Sequence, residues 1–108
     1  MLSLAVALAA LAAPVSTEIV LPSQPAPLHG TLLTPPGASA VAVILPGSGP
    51  TDRDGNSPMG VAAGTYRLLA EGLADQGIAT LRIDKRGIAA SAAAGPAEAD
   101  LRFDAYAA

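Results

Sequence analysis

AVAVILPGSGPTDRDGNSP, residues 40–58, joins a short apolar run to a long polar loop. Ala40 to Leu45 is apolar at every position, so neither face of a strand formed there would favour water. That pattern predicts a strand covered on both sides in a parallel sheet. Residues 46–60, PGSGPTDRDGNSPMG, contain four glycines, three prolines and two aspartates. A long loop directly after a buried strand is more often functional than filler.

Toward the C-terminus, the spacing predicts a helix over Thr65 to Gln76. Tyr66, Leu69, Ala70 and Leu73 fall on one face at i, i+3, i+4 and i+7. Glu71 and Asp75 lie on the other side, and Gly77 stands where a left-handed C-terminal cap belongs. Ile78 to Ile83, IATLRI, reads as a second strand and ends at Asp84-Lys85-Arg86-Gly87. Strand, helix and strand form a βαβ unit, which is expected to cross over right-handed and make the strands parallel. Ligands of such sheets bind beyond the carboxyl ends of the strands. The polar clusters after Leu45 and after Ile83 both fall there. Ala89 to Glu98 is alanine-rich, and Leu101, Ala105 and Ala108 have the spacing of a further helix.

Toward the N-terminus, Thr17 to Leu21 (TEIVL) and Leu28 to Thr34 (LHGTLLT) have strand character. The proline-rich turn between them predicts an antiparallel pair, closed by Pro35-Pro36-Gly37. Leu2 to Ala13 is a twelve-residue apolar run of mostly small side chains, ended by Pro14. It is too short to span a bilayer as a helix but fits the apolar region of an export signal. Ala10-Leu11-Ala12 supplies an A-x-A cleavage pattern. Residues 1–16 are therefore read as a leader, and 17–108 as the folded part.

Composition narrows the function classes. Hydrophobic residues make up 51% and charged residues 14%, which excludes a disordered chain. Much of the apolar content is alanine, with one Phe, two Tyr and no Trp, so few side chains can anchor a large core. The net charge is −3, and only Arg82, Lys85 and Arg86 cluster among the six cations. No basic stripe can track phosphates, which argues against a nucleic-acid partner. The absence of cysteine excludes disulfides and thiolate metal sites.

Gly47-Ser48-Gly49 is the leading candidate for chemistry. Glycines let a backbone turn sharply and leave peptide N–H groups free to face an anion. Stabilising an acyl-transfer oxyanion needs such donors; a tight strand-to-loop turn is the plainer alternative. Phosphate binding fits less well. No Gly-Lys-Ser/Thr follows, Asp52 stands where a dinucleotide fingerprint has its third glycine, and two aspartates would repel phosphate. Asp52-Arg53-Asp54-Gly55-Asn56 has alternating oxygens, but an EF-hand loop needs glycine at its sixth position and glutamate at its twelfth. Here the glycine is fourth and the twelfth residue is Ala63, so a turn with Asp and Asn side chains bonding the backbone is expected. Asp84 is expected to accept bonds from loop N–H groups, with Arg86 paired to Asp52 or Asp54. His29, the single histidine, is placed in the hairpin, away from the strand ends, in a structural role.

Taken in order, LHGTLLTPPG, AVAVILPGSGPTDRDGNSP and YRLLAEGLADQGIATLRIDKRG resemble the start of bacterial α/β-hydrolases of the serine aminopeptidase-like and dienelactone hydrolase-like branch. The resemblance covers roughly residues 18–108. It implies a three-layer α/β-hydrolase fold, represented by its first four strands and first helix. It also implies an oxyanion-hole loop at Gly47-Ser48-Gly49 with the Ser48 N–H as donor, a small-molecule acyl substrate, and no cofactor or metal. Asp84, Arg86, Gly87 and Ser91 match the family's D-x-R-G-x-G-x-S turn, whereas Ala89 replaces its second glycine. The family's nucleophile motif, G-x-S-x-G, does not occur in these 108 residues. The chain is thus expected to be an N-terminal portion, inactive alone, with that motif about 25–40 residues beyond Ala108. A non-catalytic exported binding module and a nucleotide-binding βαβ module are the alternatives, and the sequence following residue 108 discriminates among them.

If the leader is removed, mass spectrometry of the mature protein will find an N-terminus between Ala12 and Ser16. Intact Met1 to Ala13 on a soluble cytoplasmic protein would overturn the assignment.

Overall fold

A computed structural model describes residues 12–95. Most of the leader (1–11) and the segment 96–108, with its expected helix, lie outside the described residues. Five elements position the loop: β1 (Val15–Leu21), β2 (Leu28–Thr34), β3 (Ala40–Ile44), α1 (Thr65–Asp75) and β4 (Ile78–Asp84). A 3₁₀ segment follows at Ala89–Ala94. No helix among the described residues is long and apolar enough to cross a membrane.

The result is an α/β arrangement with one four-stranded mixed sheet, ordered β1-β2-β4-β3. β1 and β2 form the expected antiparallel hairpin, placing Glu18 opposite Thr31 and Val20 opposite His29. β2 then pairs antiparallel with β4, aligning His29 with Asp84 and Leu33 with Thr80. β3 lies parallel to β4, as the βαβ pattern requires, with Ile44 opposite Arg82. Gly30 permits the close β2–β4 approach: a Cβ there would lie 2.6 Å from the Arg82 carbonyl oxygen.

Opposed residues share a face of a sheet and alternate along each strand. Leu33, Thr80, Arg82, Asp84 and Ile44 therefore occupy one face. Leu33 packs there with Ala70 and Ala74 of α1, and Ile44 lies against them. The helix runs as expected, and Gly77 closes it at φ 78°. Its buried face is rotated from the expected one, however. Ala70 and Ala74 are inside, whereas Leu69 is half exposed. Two alanines one turn apart let the helix axis sit close to the sheet, and close approach favours their side over the leucines.

β3 departs further from expectation. Val41 and Val43 are 66% and 56% exposed. The strand is covered on the α1 side only, and among the described residues its outer edge is unpaired. Apolar residues on both faces showed that the strand favours burial, but not what supplies the second cover.

After β4 the chain turns through Gly87, at φ 83°, and Ala89, at φ 47°. Ala89 is the one non-glycine residue with positive φ among those described, at the position where the resembled pattern carries glycine. A left-handed conformation costs an L-residue about 1–2 kcal/mol, partly offset because alanine restricts the unfolded chain by about 0.4–1 kcal/mol relative to glycine. Ala89→Gly should therefore stabilise the protein by about 0.5–1 kcal/mol in urea unfolding. A lowered midpoint would contradict the positive φ.

Candidate functional site

The loop after β3 is organised by its own side chains before it meets the sheet. Asp52 Oδ1 accepts from the Asp54 and Asn56 N–H groups, each at 2.9 Å. Asn56 Oδ1 accepts from the Gly64 N–H at 2.7 Å. These are the backbone-bonding Asp and Asn roles expected of a turn. Gly64, at φ 63°, offers α1 no side-chain cap. The Asp54 carbonyl substitutes, accepting from the Tyr66 N–H at 3.0 Å. Among the described residues, no three His, Asp or Glu side chains are grouped so as to hold a metal ion.

Asp84 ties this loop to the sheet. Its Oδ1 accepts the Arg53 N–H at 2.7 Å, and its Oδ2 accepts from Arg53 Nε and Nη2, each at 3.1 Å. Across the strands, Arg53 Nη1 donates to Glu18 Oε2 and Thr31 Oγ1, each at 2.8 Å. One guanidinium thus engages β1, β2 and β4. Burial by itself would lower the Arg53 pKa, but its bonds to Glu18 and Asp84 and their charges raise it above the usual value. Next to it, Arg82 Nη1 donates to Asp54 Oδ1.

Gly47 is held at both ends of its backbone. Its N–H donates to Tyr66 Oη at 3.3 Å, and its carbonyl accepts from Lys85 Nζ. Burial lowers the Lys85 pKa. The Ser48 carbonyl accepts from Thr51 Oγ1 at 3.2 Å. The Ser48 N–H has no partner among the described residues. Gly49 follows at φ 78°, and all three residues of the turn are exposed.

The structure therefore brings the two polar clusters together, with Lys85 on Gly47 and Asp84 on Arg53. Asp84 accepts loop N–H groups as expected, including that of Ala90 at 3.2 Å. Arg86 does not meet Asp52 or Asp54. Its guanidinium turns the other way, donating to the Gln24 and Ala94 carbonyls and to Ser23 Oγ. Asp54 is met by Arg82 instead, Asp84 by Arg53, and Asp52 by no cation among the described residues. His29 is not remote from the strand ends either. Antiparallel pairing returns the start of β2 to the end of β4, so His29 lies opposite Asp84 and donates its N–H to buried Ser91 Oγ at 2.9 Å. In the sequence Tyr66 stands out only as part of the helix face, and Glu18 and Arg53 carry no local signal; strand register brings Glu18 beside Thr31, where Arg53 meets both. No protein-family model and no curated protein matches the chain.

Asp84 is 2% exposed, so Asp84→Ala would leave a largely buried Arg53 and two N–H groups short of an acceptor. Breaking one side of a buried pair typically costs 3–5 kcal/mol, and Glu18 remains to share the charge; a loss of about 3 kcal/mol is expected in urea unfolding. Glu18→Gln, at a more exposed position, should cost less than about 1 kcal/mol. Equal losses for the two variants would refute this ranking.

Proposed function

We propose that these residues belong to a serine-type α/β-hydrolase that cleaves ester, amide or related acyl bonds, and that Gly47-Ser48-Gly49 supplies one side of its oxyanion hole. One observation carries the reading. At the carboxyl end of β3, the Ser48 N–H is uncommitted while the preceding residue is fixed through both its N–H and its carbonyl. Donors held in place before charge develops stabilise an oxyanion without reorganising during the reaction. The mixed sheet with the one α-helix among the described residues agrees with the opening part of the three-layer fold that the sequence resemblance implies. Under this reading the nucleophile, its histidine and the acid come from other residues, and the 108 residues alone do not turn over substrate.

Ser48 then acts through its backbone and not its hydroxyl. In the full-length polypeptide carrying these residues, Ser48→Ala should keep substantial turnover, because alanine retains the N–H. Ser48→Pro removes that donor and should lower kcat by about 10²–10³. A fluorophosphonate probe should label a serine beyond Ala108 and leave residues 1–108 unlabelled. Labelling at Ser48, or abolition of turnover by Ser48→Ala, would reverse the assignment.

A further inference from the structure

Tyr66 reaches the same turn from a different element. It stands in the first turn of α1, where its N–H is bonded to the Asp54 carbonyl. Its ring lies along Gly55: a Cβ on that glycine would come within 3.1 Å of Tyr66 Cγ. The side chain is therefore located by the loop that it serves. A phenolic hydroxyl has lone pairs to accept with and one proton to give. Accepting the Gly47 N–H uses a lone pair. The proton has no acceptor among the described residues.

We infer that Tyr66 Oη–H is a second oxyanion donor, acting beside the Ser48 N–H on the acyl oxygen of the substrate. This rests on the hydrolase reading above. Successive peptide nitrogens lie within about 3.7 Å of one another, and Tyr66 Oη is 3.3 Å from the Gly47 nitrogen. The phenol is thus at most roughly 7 Å from the Ser48 nitrogen, and donation from both to one oxygen, each at ~2.9 Å, requires them to lie within about 6 Å, nearer than that limit. The Gly47 bond also directs the hydroxyl. With one lone pair occupied by an N–H, the phenolic proton turns away from the Gly47 nitrogen and remains free for another acceptor.

Tyr66→Phe in the full-length protein tests this: it keeps the ring on Gly55 and removes the hydroxyl, both its proton and the lone pair that holds the Gly47 N–H. It is therefore read against Lys85→Met, which loosens the same turn with the phenol intact and must lose less kcat and less boronate affinity. The expected result for Tyr66→Phe is a fall in kcat of about 10²-fold with KM within twofold, and an equal loss of affinity for a boronic acid that forms a tetrahedral adduct. The thermal midpoint should stay within a few degrees of the parent. Unchanged kcat, a loss confined to KM, or a kcat loss without weaker boronate binding would each overturn the donor role. A collapse of the thermal midpoint would reduce Tyr66 to a structural support and overturn it too; Tyr66→Leu, which also loses the ring, then reports how much of that collapse is packing. Absence of any fluorophosphonate labelling in the parent would instead be failure of the hydrolase reading itself.

Discussion

The carboxylate of Asp84 is buried at the end of β4, and everything above that end of the sheet is arranged around it. A buried charge left unpaired is costly, so its partners are structural requirements. Arg53 meets it through a backbone N–H and two guanidinium nitrogens. Few alternatives exist for fastening the loop. The buried apolar residues described are Leu33 and four alanines, whereas Thr80, Arg82, Asp84, Arg86 and Ser91 are buried polar ones. Alanines offer little area to bury. Directional bonds at the strand ends do what bulky side chains do in a richer core.

From Asp84 the constraint passes along the chain in short steps. Arg53 is fixed on the carboxylate, which fixes the neighbouring Asp54. The Asp54 side chain bonds Arg82, and its carbonyl receives the Tyr66 N–H. The start of α1 is therefore registered against the loop. Tyr66 sits one residue into that helix, so its hydroxyl meets Gly47 at a place set by β4. Lys85, adjacent to Asp84, reaches the Gly47 carbonyl from the other side. Both supports of the glycine turn thus originate near one carboxylate, although Gly47 and Asp84 are far apart in sequence.

The elements were legible where a repeating pattern meets a local rule. Short runs of strand-forming residues bounded by turn residues located β1, β2 and β4, and the 3.6-residue period with Gly77 bounded α1. Ala89 stands out in the sequence as the departure from the resembled pattern's glycine, and its φ of 47° shows that the backbone is left-handed there. What failed depended on register and cover. Arg53, Arg82 and Arg86 are alike in charge, and only the pairing of Thr31 with Arg82 and of His29 with Asp84 decides which cation meets which acid. His29 was misplaced because a sequence does not display the return of an antiparallel strand. The exposed face of β3 has the same origin: apolarity states what a strand requires, not which element provides it.

The charges around the turn also bear on the kind of anion it suits. Arg53 is occupied by Asp84 and Glu18, and Arg82 by Asp54. Asp52 spends one carboxylate oxygen on its own turn. A permanent phosphate dianion would need several cations in contact with it to offset its desolvation. The two arginines near the loop are committed to carboxylates, which leaves Lys85, on the Gly47 carbonyl, as the cation at the turn with no carboxylate partner among the described residues. The Ser48 N–H and the phenolic proton of Tyr66 are neutral donors. Neutral donors fixed in advance bind a ground-state carbonyl weakly and an oxygen gaining charge more strongly, which is the difference that accelerates acyl transfer. The arginines beside the loop are thus committed to the carboxylates that hold the glycine turn in place.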